Sequence, residues 1–120
     1  MSSPGLQALR LHHHAYVTKD MEATRHFYED LLNFPLMATW CESDELFGAE
    51  RVYCHCFFGL ADHSALAFFQ FAKPEDQAQF DPPMPFSPFR HIALKCDAAT
   101  QDAVHRRLEK AGYKEPQMFV

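Results

Sequence analysis

One short pattern occurs twice in this chain, 78 residues apart, and each copy opens on a histidine. The first copy reads His13-His14-Ala15-Tyr16-Val17-Thr18-Lys19-Asp20; the second reads His91-Ile92-Ala93-Leu94-Lys95-Cys96-Asp97. Both have the form His-x-Ala-(Tyr/Leu), continue with strand-like alternation, and meet an aspartate that opens a helical stretch. A repeat of this kind implies one supersecondary unit used twice. Equivalent positions of the two units then carry imidazoles, the commonest metal-binding side chain.

The chain has 120 residues, enough for one compact domain and too few for two independent ones. Twelve phenylalanines provide material for a core. A net charge of −5 without a basic stripe argues against a nucleic-acid partner. The longest apolar stretches are strand-sized, such as Ala65 to Phe69, which argues against a membrane-spanning segment. Met1 to Gly5 lacks the apolar centre of a signal peptide. Cys41, Cys54, Cys56 and Cys96 match neither a dense disulfide framework nor a paired zinc site. These features predict a cytoplasmic protein with free thiols.

Leu9 to Thr18 alternates as a strand does. Asp20 is a suitable N-cap, and Met21, Thr24, Phe27, Tyr28 and Leu31 follow helical spacing to about Leu32. Asn33 suits a left-handed cap and Pro35 forbids continuation. Strands are expected over Leu36 to Cys41, Val52 to Phe58 and Ala65 to Phe71, with a turn at Asp62-His63-Ser64. The first unit, about residues 9 to 72, is thus β-α-β-β-β. Residues 73 to 88, with five prolines, read as an ordered linker. The second unit restarts at 89 with a strand to Cys96, an N-cap at Asp97, and a helix bearing Ala103, Val104, Leu108 and Ala111 on one side. Gly112 caps that helix, and another strand is expected from Tyr113. By the repeat, two further strands would be needed, so the second unit reads as incomplete at its C-terminal end.

The run from Leu11 to Leu32, with His13, the alternation to Asp20, and a helix carrying Phe27-Tyr28 and Leu31, resembles the opening of the glyoxalase/bleomycin-resistance/extradiol-dioxygenase superfamily. Phe89-Arg90-His91-Ile92-Ala93-Leu94 resembles the opening of its second module. The resemblance covers residues 9 to 120. It implies an α+β fold of paired βαβββ modules, with a cupped mixed or antiparallel sheet around a divalent metal and helices outside. It also implies a Glu ligand on the closing strand of module two, which this sequence does not present.

Alternate strand residues share a face. His13 therefore stands with Leu11, Ala15 and Val17, and His91 with Phe89, Ala93 and Lys95. The small alanine beside each histidine leaves room for a metal and a substrate, and the twin placement with the resemblance makes His13 and His91 the expected ligands. His12 and His14 read as structural or surface residues. The glyoxalase branch carries a Glu on the last strand of module one, and Gln70 falls in that slot. Its amide oxygen is either a weak third ligand or a hydrogen-bonding residue of the cavity wall. Gln70 cannot accept a proton, which disfavours a glyoxalase-type base. The dioxygenase branch, which uses the two module-opening histidines and the late Glu, gains by it; two histidines and one carboxylate form the facial triad of Fe(II) oxygenases.

Cys54 and Cys56 read as buried thiols under the helix. Tyr53, His55 and Phe57 point to the other face, where His55 is either an acid/base beside a metal-bound phenol or enol, or a lining residue. Trp40 and Phe68 serve equally as aromatic walls or as core. The resulting expectation is a metal-dependent, dioxygenase-like enzyme acting on a small molecule with a vicinal oxygen pair. Fe(II) or Mn(II) is favoured, with Zn(II) or Ni(II) as alternatives. A glyoxalase-type isomerase or lyase and a metal-free aromatic-binding resistance protein compete with it. A homodimer is expected from the unpaired sheet edge of the second unit.

Overall fold

The computed structural model describes residues 5–114. Strand β1 (His13–Val17) leads to helix α1 (Met21–Arg25), which runs on as a wider π-helical segment (His26–Leu31). Asp20 starts the helix because its side chain accepts the Ala23 N–H at 3.0 Å. The widening shows in the closing bonds, Leu32 N to Phe27 O at 3.1 Å and Phe34 N to Tyr28 O at 2.8 Å. Asn33 then takes the left-handed conformation, φ 62°, and Pro35 prevents resumption.

Three strands follow: β2 (Leu36–Leu46), β3 (Ala49–Gly59) and β4 (Ala65–Phe71). The sheet order is β1-β4-β3-β2, with β1 parallel to β4 and the other pairs antiparallel. The β2–β3 hairpin is longer than the two short strands expected. Its tip, Phe47-Gly48, has positive φ at both residues, 53° and 83°, as a two-residue turn matched to strand twist requires. A phenylalanine there is costly. Arg51 stabilises the tip by donating to Leu46 O at 3.0 Å and Phe47 O at 3.2 Å.

One side of the sheet packs on the helix. Cys56, Phe58, Leu66 and Phe68 form the core, and Tyr28 lies against it with ring centroids 4.9 Å from Phe68 and 6.0 Å from Phe58. Full burial of Phe58 contributes about 1.5–3 kcal/mol. The fold is therefore α+β, with a mixed open sheet, and α1 on one face.

Residues 73 to 88 are not wholly linker. They begin with helix α2 (Pro74–Phe80), in which Pro74 occupies the first turn, where its missing N–H costs nothing. Arg51 pairs with the buried Asp76, fastening α2 to the hairpin. Gln77 accepts from Phe71 N and donates to Thr18 O, both at 2.9 Å, joining the ends of β4 and β1. Helix α3 (Ala98–Lys110) opens at Asp97, whose side chain accepts the Thr100 N–H at 2.8 Å. Arg107 reaches from α3 to Leu31 O at 2.7 Å, tying it to the end of the π-helical segment.

The strand expected over Phe89 to Cys96 does not form; that stretch is irregular and exposed. Among the described residues no strand follows α3, and residues 89–96 pair with neither open edge of the sheet. The further strand expected from Tyr113 lies mostly outside the described residues, and Tyr113 and Lys114 are not in a strand. Among the described residues, no helix is long and apolar enough to cross a membrane.

Candidate functional site

The pairing register assigns every strand residue to a face. His13 stands opposite Ala65, Ala15 opposite Ala67 and Val17 opposite Phe69. Across the next ladder Ala67 meets Phe57, Phe69 meets His55 and Phe71 meets Tyr53. Trp40 is opposite His55 and Glu42 opposite Tyr53. His13, Trp40, Tyr53, His55, Phe57 and Phe69 thus share the face turned away from α1. Alanines at 15, 38, 65 and 67 form a low floor between the larger side chains.

His55 is the centre of this face. Its ring stacks on Phe69 with centroids 3.7 Å apart and planes 16° from parallel, and lies 4.3 Å from Phe57. His13 meets Phe57 from the other side, edge to face at 5.5 Å. Burial, reinforced by the neighbouring His13, pulls the His55 imidazole below its ordinary value, against a weaker upward pull from Glu42. Its Nε2 is buried and has no hydrogen-bond partner. An unengaged, neutral imidazole nitrogen can take up a proton. At the border of the face, Tyr53 donates to Asp44 at 2.6 Å and Glu42 at 3.0 Å, and those carboxylates push the phenol pKa up.

Gln70 does not join this face. It belongs with Leu66 and Phe68 on the helix side, and its Oε1 accepts the Met21 N–H at 2.7 Å. The expectation that places Gln70 beside His13 is therefore corrected: the β4 residue sharing the His13 face at that level is Phe69, and the amide oxygen satisfies a free N–H at the start of α1. Nor does His91 sit on a strand mirroring β1. It lies in the irregular stretch before α3, exposed, with Nδ1 3.2 Å from Pro88 O.

The donor chemistry of the two histidines can nevertheless be tested against a metal. His13 Nδ1 lies 2.9 Å from His12 Nδ1, and His91 Nδ1 lies beside a carbonyl oxygen. Engagement of Nδ1 by an outside partner leaves Nε2 as the ligating nitrogen, which is how metal-binding histidines are commonly oriented. Each histidine taken singly therefore fits the role. Sequence reasoning missed two things here: the Phe69–His55 stack, which depends on the register between β3 and β4, and the role of His12 beside His13. A cavity of about 740 Å³ between the end of the π-helical segment and α3, lined by Phe34, Leu60, Leu94, Val104 and Arg107 among others, contains none of these residues.

A strand, a helix and three further strands, with the helix on one face and a histidine on the first strand facing the other, define a module of the cupped-sheet class. The family model of the Glyoxalase/Bleomycin resistance protein/Dioxygenase superfamily matches residues 10–116, and the chain belongs to that superfamily. Neither the curated proteins nor the solved structures yield a match.

Proposed function

We propose that this protein is a metal-dependent, dioxygenase-like enzyme acting on an aromatic small molecule with two adjacent oxygens. One observation carries the reading: on the His13 face, β4 offers Phe69 rather than a carboxylate or amide, so the last strand of the first unit adds no acid beside His13. One histidine per unit is the ligand economy of the dioxygenase branch, whereas a glyoxalase-type base would need an acid on β4.

In this reading His13 and His91 would hold a divalent ion, with Fe(II) or Mn(II) preferred to Zn(II) or Ni(II). A divalent ion held there would supply Lewis acidity toward a substrate hydroxyl. The remaining work falls to the aromatic face. Phe57, Phe69 and Trp40 flank a planar ring by stacking and edge contacts. The alanine floor lets that ring approach the sheet. His55, whose pKa burial lowers and whose Nε2 has no hydrogen-bond partner, would serve as the acceptor of the second hydroxyl proton.

Metal analysis of protein purified without chelators tests the reading. His13→Ala and His91→Ala should each lose bound metal while keeping their circular dichroism; full retention by His13→Ala overturns it. Gln70→Ala should retain metal, because its oxygen serves α1. A second reading, metal-free binding of an aromatic ligand, is favoured by the Phe69–His55 stack, which makes the face apolar where a donor would stand. It predicts that chelator-treated protein still quenches Trp40 fluorescence when a catechol is added.

A further inference from the structure

The opposite face of the same sheet carries a feature that metal and ligand leave unused. Cys41 and Cys54 are direct cross-strand partners in the β2–β3 ladder, and Cys54 and Cys56 follow each other on one face of β3. The Cys54 and Cys56 sulfurs are 3.8 Å apart. Cys41 is exposed, Cys54 half-buried and Cys56 buried, so the row runs from solvent at the edge strand toward the core. Burial, with hydrogen bonding to Cys56 and Cys41, pushes the Cys54 thiol up to about 12.

We propose that Cys41 and Cys54 are a redox-modification site that closes reversibly to a cross-strand disulfide. Directly opposed residues of antiparallel strands have Cα atoms about 4.5–5.5 Å apart, inside the range of about 4.4–6.8 Å that a disulfide spans. Cys54 and Cys56 are the poorer pair: residues two apart on an extended strand are separated by about twice the 3.4 Å rise, at the limit of the permitted span. Access sets the order of events. A small-molecule disulfide, with oxidised glutathione as the reagent, meets Cys41 first because only that thiol of the three is exposed. The Cys41 thiolate attacks one glutathione sulfur, forming a mixed disulfide and releasing one glutathione thiolate. Cys54 then gives its proton to solvent and attacks the Cys41 sulfur, which releases the second glutathione. Two protein thiols are oxidised and one glutathione disulfide is reduced to two thiols. The raised pKa of Cys54 makes the second step the slower one, because the thiolate is the nucleophile.

The product would staple the edge strand β2 to β3 next to Trp40, whose side chain faces the aromatic side. Redox state would thereby stiffen one wall of the proposed ligand face without occupying it.

The test is peptide mass spectrometry of the whole chain, incubated with oxidised or reduced glutathione and then alkylated. The expected result is a Cys41–Cys54 crosslink that dithiothreitol reverses, with slower amide exchange across β2 in the oxidised protein. Cys54→Ser should stop at glutathione on Cys41, and Cys56→Ser should still form the crosslink. Circular dichroism establishes that each variant is folded. A wild-type protein that stops at the mixed disulfide, or that crosslinks any other pair while Cys41 and Cys54 remain alkylated, overturns the proposal. If Cys56→Ser does not fold, the wild-type and Cys54→Ser patterns decide the matter alone.

Discussion

His13–Val17 and Phe89–Cys96 carry nearly the same succession of side chains, yet only the first is a strand. The helices that follow them differ far less: each begins at an aspartate that accepts a backbone N–H three residues on. A helix cap is a local contract between neighbours in sequence, so both copies of the motif honour it. A strand must borrow its hydrogen bonds from another segment. β1 finds them in β4, roughly fifty residues away; the second copy pairs with neither β1 nor β2, although each leaves an edge of the sheet open. Alternation is therefore permission to form a strand, whereas a ladder made with a neighbouring segment is what makes one.

The sharpest way to break this contrast is amide hydrogen exchange. Amides of β1 that bond to β4 should be protected up to the free energy of global unfolding, and those of 89–96 should exchange nearly as an open chain. Comparable protection in the two segments would mean that the second copy is paired after all. Next in size is truncation of the core: Phe58→Ala should cost about 3–5 kcal/mol in urea unfolding. Leu94→Ala, at a residue 40% exposed, should cost within about 0.5 kcal/mol. Smaller, and deliberately equal, are the caps. Asp20→Ala and Asp97→Ala should each cost about 1 kcal/mol by the same assay or by helix content, because a cap bond is made within its own helix end.

The smallest effect is a pH dependence. The Thr100 side chain and backbone hold the Asp97 carboxyl below its ordinary value of 3.8. Its folded-state pKa thus lies below that of the unfolded chain, so the unfolded state binds the proton more readily. The stabilisation is complete above the ordinary value and is lost as the pH falls through the lowered one. Monitoring the Thr100 amide by NMR during acid titration should show α3 fraying at its N-terminus in that window; Asp97→Asn should flatten the response.

The first unit was legible because its signals are local: Asp20, the helical spacing to Leu31, Asn33, and the β4 run all lie where the sequence points. The Phe47-Gly48 tip was not, since a phenylalanine at positive φ defies its own preference and is held by Arg51 from four residues beyond. Helix α2 was hidden in a proline-rich stretch, although Pro74 marks a first helical turn as readily as it marks a linker. The slot given to Gln70 shows the limit most clearly. Counting by twos divides β4 into Ala65-Ala67-Phe69 and Leu66-Phe68-Gln70, but only the register against β1 says which set keeps company with His13.

Gln77 bridges Phe71 and Thr18, at the far end of the parallel pair. Considered as a sequence of events in refolding, this places β1 late. The β2–β3 hairpin closes over two residues and β3–β4 over a short turn, so both close small loops. Joining β1 to β4 must close the longest loop in the sheet, and non-local closure is the slow part of folding. Gln77 can make both of its bonds only once α2 has formed and β1 has arrived, so it acts as a latch on the final docking step. His13 rides on that last strand. In a refolding time course, hairpin protection should therefore appear before the face bearing the imidazole is complete, and weakening the latch by Gln77→Ala should loosen β1 while the meander stays folded.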